Sequence, residues 1–410
     1  MKVFSYLFCI IFSLIFLKST AQNDTTRLKK TLSDTILGPV IDSSRQRDVI
    51  DVLKKFFDKN KPDKRKTSGR LNFSIVPAVG YSLSTGFAVN VTGNVTFFTS
   101  AGHKENFSSI DAEAIYDTKG QKIFISRSEI WAENNNYKLI TDLRIERYPD
   151  DTYGLGTSTT NSKDDAIKYS YIRTYATLFK KIVPDYYLGF GFNVDHHYNI
   201  SEAGNLDKSV SDFQKYGFSS HSNSFGLNLN FLYDSRRNPI NPHNGAYASV
   251  LYRDNLTFLG NDNNWRKFQV DVRRYLRLSA LSNNILALWA VATFTSGKTP
   301  YLDLPATGDD KYNNSGRGYS QNRLRGKNKL YLEGEYRFGI TKNGFIGAVA
   351  FLNAESFTEY QTNKFEKIAP AAGSGLRIKV NKHSNTNVCI DYAYGLYGSH
   401  GFFVSLGEVF

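Results

Sequence analysis

Cysteine and methionine are nearly absent: the 410 residues hold two cysteines and one methionine. Cys9 falls in the N-terminal leader, so a lone Cys389 cannot close an internal bridge, and a disulfide scaffold is excluded. Long apolar runs are also missing. Beyond residue 21 no stretch approaches the roughly 18 apolar residues that mark a membrane-crossing helix, which excludes one from the mature chain. What is abundant is aromatic and small: 26 Tyr, 30 Phe and 31 Gly. That composition suits strands and turns better than helical bundles.

The leader itself is present in full. Lys2 precedes an apolar run, Val3 to Leu17, broken by Ser5 and Ser13, and Ser19-Thr20-Ala21 supplies small residues for cleavage. This fits a secretory signal peptide over 1–21. The rival reading, an N-terminal anchor, falls short of the roughly 20 apolar residues a spanning helix needs. The net charge of +13 is uneven, because residues 22–70 hold 13 Lys/Arg against 7 Asp/Glu. Clustered basic charge can mean nucleic acid. In an exported chain, anionic lipid head groups or an acidic partner fit better, and no nucleic acid is expected.

Residues 22–70 read as a periplasmic segment that opens on a polar, aperiodic stretch to about residue 42. It carries one helical pattern, about 44–59, with Val49, Val52, Leu53, Phe56 and Phe57 on one face and Ser43 or Ser44 as the cap. This helix is either a solvated linker or an amphipathic element on the inner leaflet or at a barrel mouth. From Leu71 the period changes to two. Phe87, Val89, Val91, Val95 and Phe97 alternate with small or polar residues, as do Leu188, Phe190, Phe192 and Val194, and Phe225, Leu227, Leu229, Phe231 and Tyr233. Export, strands of about ten residues, and the ending GFFVSLGEVF together point to an all-β fold: a transmembrane antiparallel barrel over 71–410. Phe402, Val404, Leu406 and Phe410 are expected on one face as the barrel's C-terminal signal.

Sixteen strands are predicted, at about 71–78, 84–98, 105–116, 120–132, 136–146, 167–180, 184–196, 219–234, 244–254, 264–278, 283–295, 328–338, 344–353, 370–380, 386–395 and 400–410. Connections after even strands are short (SAGHKE, ENNN, KIVP, ALSN, ITKNG, NKHS), except RRNPINPHNG. Long ones, around 147–166, 197–218, 296–327 and 354–369, follow odd strands. Short periplasmic turns and long outer loops are the pattern of an outer-membrane barrel.

Two stretches carry a family resemblance. In YDSRRNPINPHNGAYASV, Asp234 and Arg236 end a strand, and Asn238, Pro239, Pro242 and Gly245 shape the turn that follows. In SGRGYSQNRLRGKNKLYLEGEYRF, Arg317-Gly318-Tyr319 stands in the sixth outer loop. Both resemble the BamA/TamA-type barrel superfamily of outer-membrane-protein assembly factors (the bacterial surface antigen domain). The resemblance implies a loop tip with an Arg-Gly-aromatic motif, and an acceptor on strand thirteen in a Phe-x-Asp-x-Gly pattern. This sequence departs there: Asn353 stands for the acid and Glu355 for the glycine. The family's periplasmic POTRA repeats do not fit into 22–70, so the chain is similar to a subgroup lacking them.

A guanidinium can bind a carboxylate through two parallel hydrogen bonds. Alternation turns Lys329, Tyr331, Glu333, Glu335 and Arg337 inward, so Glu333 and Glu335 are the preferred partners of Arg317, with Asp391, Asn353 and Glu355 as further candidates; a solvated Arg317 is the plain alternative. No catalytic set, metal site or cofactor motif stands out. Asp195-His196-His197 reads as an interfacial rim feature, since neighbours on a strand face opposite ways. Asp309-Asp310-Lys311 reads as a solvated loop run. The leading expectation is a non-enzymatic barrel in outer-membrane biogenesis, inserting or translocating protein or lipid, with the sixth loop folded inward. Its expected contacts are outer-membrane lipid and a periplasmic protein at 22–70. The alternative is a non-catalytic pore or surface-binding barrel; an enzyme at the rim is a third reading.

Overall fold

The computed structural model describes residues 46–49, 51–52, 71–82, 86–100, 105–279, 283–382 and 384–410. The signal peptide and most of the segment 22–70, including most of the helix expected at 44–59, lie outside them. The rest is one antiparallel sheet whose sixteen strands pair in sequence order. They are β1 (Leu71–Ser82), β2 (Gly86–Phe97), β3 (Ser108–Asp117), β4 (Lys122–Trp131), β5 (Tyr137–Thr152), β6 (Asp165–Val183), β7 (Tyr186–Glu202), β8 (His221–Asp234), β9 (Gly245–Asn255), β10 (Trp265–Arg277), β11 (Ile285–Gly297), β12 (Asn328–Gly339), β13 (Ile346–Phe357), β14 (Ala369–Asn381), β15 (Thr386–Tyr394) and β16 (His400–Leu406). The sheet curls into a barrel, bringing β16 back beside β1 with Cα atoms within 8 Å. Among the described residues no ladder joins these two strands.

The sidedness of the wall follows from the alternation. Phe87, Val89, Leu188, Phe190, Leu229 and Phe231 are all exposed, Phe190 by 62%. In a water-soluble fold these residues would form the core. Here the apolar set points outward and the buried set is charged: Lys329, Glu333, Glu335, Arg337, Arg377 and Asp391 are all buried. Hydrocarbon is the environment in which that inversion is stable, because apolar side chains cost nothing there and charges must turn to the inside.

All sixteen strands are where the periodicity puts them, but some run longer. β5 and β7 each continue about six residues past their expected ends, pairing with β6 from Tyr148↔Tyr169 to Thr152↔Asp165 and at Ile167↔Glu202. Above the membrane the outer face of a strand meets water and the inner face meets the loops, so no outward apolar alternation marks them. Tyr148, Ile167 and Tyr169 there pack with Phe213 of a short helix, α1 (Asp212–Gly217), and with Tyr301.

The C-terminal expectation is corrected at one residue. Phe402 and Val404 do face outward, but β16 ends at Leu406 and Gly407 turns the chain with φ +88°. Phe410 is only 3% exposed and stacks on Trp289 with centroids 5.1 Å apart. The reason lies in the parity: a continued strand would have aimed Glu408 at lipid together with Phe402 and Val404. Instead Glu408 turns in and accepts from Arg377 Nε at 2.8 Å and Asn387 Nδ2 at 2.7 Å.

The described part of the N-terminal segment touches the barrel's turn end. Asp48 begins a helical turn, the expected caps Ser43 and Ser44 lying outside the described residues: Asp51 N donates to Asp48 Oδ1 (2.9 Å), Asp48 N donates to Asp51 Oδ2 (3.2 Å), and Val52 N donates to Asp48 O (3.1 Å). This reciprocal arrangement works like a capping box, satisfying two otherwise orphaned amides. Lys382 Nζ, in the β14–β15 turn, reaches Asp51 at 2.7 Å.

A charge placed on the outward face tests this sidedness. Phe190→Arg is expected to cost about 2–4 kcal/mol if the site lies near the bilayer midplane, read as a lower urea midpoint of the vesicle-inserted protein. An unchanged midpoint would show that Phe190 does not face hydrocarbon.

Candidate functional site at the sixth loop

The connection from β11 to β12 spans 298–327 and is internally folded. Thr307 N donates to Leu324 O (2.9 Å), Asn322 N to Thr307 O (3.0 Å) and Gly326 N to Pro305 O (3.1 Å), so its two limbs pair as a hairpin. Arg325 ties the base by donating to the carbonyls of Tyr301, Leu302 and Leu304 at 3.1–3.3 Å. From β12, Lys329 Nζ reaches Ala306 O at 2.8 Å and Asp309 Oδ1 at 2.6 Å. Asp309-Asp310-Lys311 is therefore not solvated. Asp310 Oδ1 accepts from Ser315 N at 2.6 Å, and Lys311 pairs with Glu129 at 3.3 Å.

At the tip, Arg317 is 2% exposed. Its Nη1 donates to Asp391, and its Nη2 to Glu333 and, at 2.6 Å, to Glu335 Oε2. The guanidinium lies 3.5 Å from the centroid of the Phe351 ring. Asn353 Nδ2 donates to Arg317 O at 2.9 Å. Arg377 bridges the carboxylates from the side, reaching Asp391 Oδ1 at 2.5 Å and Glu335 Oε2 at 3.4 Å. Three of the five candidate acceptors, Glu333, Glu335 and Asp391, thus accept from Arg317, and Asn353 meets it as a donor to its carbonyl instead. Glu355 does neither: its Oε1 accepts from Thr307 Oγ1 at 2.6 Å, holding the limb rather than the tip.

Gly318 and Tyr319 complete the motif. Gly318 has φ +110°, and a Cβ there would come within 2.7 Å of Ala371 Cβ. Tyr319 is buried, donates its hydroxyl to Pro370 O (2.7 Å) and accepts from Leu396 N (2.9 Å).

Asp195 and His197, expected at the rim, are buried on the inner face of β7, which continues to Glu202. Arg253 Nη1 donates to Asp195 Oδ2 at 2.6 Å, and His197 Nδ1 lies 3.8 Å from Asp303 of the sixth loop. His196, on the other face, bonds Asn223. Among the described residues no group of three or more His, Cys, Asp or Glu side chains is disposed to hold a metal ion.

The β8–β9 turn reaches across the opposite end of the barrel. Arg236 grips Asp234 through two bonds of 2.9 Å. Asn238 Oδ1 accepts from Ile240 N and its Nδ2 donates to Ser384 O (3.0 Å), while Asn241 Nδ2 donates to Asn385 O (3.1 Å). Pro239 sits in the bend that Asn238 caps through Ile240 N and Asn241 N, Pro242 follows Asn241, and Gly245 supplies φ +97° where β9 begins. The extra length of this turn spans the barrel mouth to the β14–β15 turn.

Compared with known families, residues 108–407 match the Omp85 superfamily domain. The chain belongs to the Omp85 superfamily. Its fold is similar to that of BamA from Haemophilus ducreyi lacking POTRA domains 1-3 (16% identity, TM-score 0.53, covering 82% of this chain and 69% of that one). It is also similar to CdiB from Acinetobacter baumannii (12%, 0.51, 83% and 60%) and CdiB from Escherichia coli (13%, 0.52, 80% and 59%). The chain thus spans about six-tenths of the length of the CdiB chains. No curated protein matches it. As an Omp85 barrel it is a protein of the Gram-negative outer membrane.

Several contacts of this Omp85 loop were invisible in the sequence. In sequence Phe351 marks only the start of a departed pattern, yet its ring carries Arg317. Arg377 lies two strands from the loop's own strand, and alternation alone would have shown it facing inward. The Gly407 turn gave one signal, the acidic residue that follows it.

Removing one partner of a buried ion pair strands the others. Arg317→Ala is therefore expected to cost about 3–5 kcal/mol of loop attachment, measured as new protease cleavage within 298–327 on intact cells; continued protection would show that the tip does not hold the loop. Gly318→Val is expected to expose the same sites, because it needs both positive φ and space against Ala371.

Proposed function

We propose that this Omp85 barrel acts in outer-membrane biogenesis, inserting or translocating protein or lipid at a lateral seam between β1 and β16. The observation that carries the reading is the missing ladder. Every other neighbouring pair of strands is joined by one, while among the described residues β1 and β16 lie side by side without it. Each backbone group left unpaired in hydrocarbon costs several kcal/mol, so a seam of this kind is primed to accept another strand or a polar group. β16 is only seven residues long, and Pro77 removes one donor from β1.

In this reading the sixth loop is folded inward and Arg317 is the fixed brace that keeps the wall in shape while the seam is open. The chain performs no covalent chemistry. Residues 22–70 serve as the periplasmic contact, by way of the turn that begins at Asp48. A second reading, a surface-binding barrel, draws support from the long outer reach of β5–β7 and from exposed apolar side chains beyond the wall, Leu206, Val210 and Phe258.

Cysteines introduced in pairs along β1 and β16 separate the two, since native Cys389 is buried. Oxidative locking is expected to block assembly of other outer-membrane barrels in cells, with reductant restoring it. If the locked protein supports normal assembly, lateral opening is not the mechanism. If depletion leaves assembly normal but abolishes surface binding, the second reading stands.

A further inference from the structure

Four hairpin turns on the short-turn side of the barrel, β8–β9, β10–β11, β12–β13 and β14–β15, surround a cavity of about 90 Å³. Short turns mark the periplasmic end of such barrels. Lys379, Arg337, Arg377, Glu408 and His243 line the cavity, with Gln46 of the N-terminal segment.

Two of these cations are incompletely partnered. Lys379 is 7% exposed, and its ammonium donates to the side-chain oxygen of Asn385. Among the described residues no carboxylate comes within 4.0 Å of it, while Arg337 and Arg377 both have such partners. Arg337 is 5% exposed; its Nε serves Glu335 (2.6 Å) and its Nη2 the Phe410 carbonyl (2.9 Å), but Nη1 is buried with no partner among the described residues. Glu408 does not neutralise Lys379, because its oxygens are held by Arg377 and Asn387. A buried charge is ordinarily paired, and a buried donor left unmade carries its full desolvation cost.

We infer that this cavity binds a phosphate group, held between Lys379 Nζ from β14 and Arg337 Nη1 from β12, with His243 at the rim. The donors come from two strands, β14 and β12, with β13 between them. A tetrahedral oxyanion offers an oxygen to each, whereas a planar carboxylate presents two oxygens to one side. Lysine acts here as a point charge and arginine as a directed donor, the usual division in phosphate sites. The group is either free inorganic phosphate or the phosphate of a lipid head group. The inference stands independently of the seam.

The test uses the full mature chain, folded in a zwitterionic detergent and titrated calorimetrically with inorganic phosphate, dihexanoyl phosphatidylglycerol and acetate. Saturable phosphate binding is expected, weakened about tenfold or more in Lys379→Gln and kept in Lys379→Arg, since a hydrogen bond to a charged group is worth about 1.5–3 kcal/mol. Phosphate should also raise the urea midpoint of the wild-type protein, a readout that holds even if Lys379→Gln does not fold. Binding of inorganic phosphate alone identifies the free ion as the occupant, and binding of the phosphatidylglycerol as well identifies the head group. No binding and no midpoint shift in the wild type, equal affinity in a folded Lys379→Gln, or acetate binding as tightly as phosphate would each overturn the inference.

Discussion

Hydrocarbon offers no hydrogen bonds, and this one constraint organises the molecule. It forces backbone groups into ladders between strands, and it forces polar side chains to the enclosed side. The enclosed side then has a difficulty of its own: it gathers Arg, Lys, Glu and Asp in a confined volume, where an isolated charge is costly. The answer is mutual neutralisation. Arg317, Arg337 and Arg377 share Glu335, Asp391 and Glu408, each of which serves more than one cation, while Glu333 serves Arg317 alone. The loop, three strands and the C-terminal residues meet in that one network.

How much of this could be read from the sequence depended on which face a residue occupies. The outward face has a single chemistry, so Phe190 or Leu229 announces its orientation and the strand count followed. The extra residues of β5 and β7 carry no outward apolar signal, because their outer face meets water while their inner face, with Tyr148 and Ile200, packs under the loops. Arg317 and its carboxylates were legible through position: an Arg-Gly-Tyr in the longest outer loop, opposite inward-pointing acids on the next strand. Contacts between remote strands were not. The ring of Phe351 under Arg317, the bridging by Arg377 and the capture of Glu355 by Thr307 depend on how the barrel closes in three dimensions, which no local pattern encodes.

Phe410 teaches a related lesson. Residues 402, 404, 406, 408 and 410 share a parity, and four of the five are apolar. The exception, Glu408, decided the outcome, since one carboxylate aimed at lipid outweighs the weak preference of the last apolar side chain for the same face. Gly407 made the turn available, and the aromatic ring found an alternative partner in Trp289. Asn314 of the sixth loop donates to the Val409 carbonyl at 3.1 Å, so the loop and the chain's last residues buttress each other.

The β8–β9 turn is a chord. It joins the wall at β8 and β9 to the wall at β14 and β15, and a chord stiffens the arc it subtends. The strands between those anchors cannot spread at the floor without breaking the Asn238 and Asn241 contacts. The end of β16 joins the same chord, since Glu408 N donates to Ile240 O at 3.1 Å. From β1 to β7 the floor is linked only between neighbouring turns among the described residues, as by Asn106 N to Asn135 Oδ1, so the unladdered junction of β16 with β1 falls where the chord's reach ends.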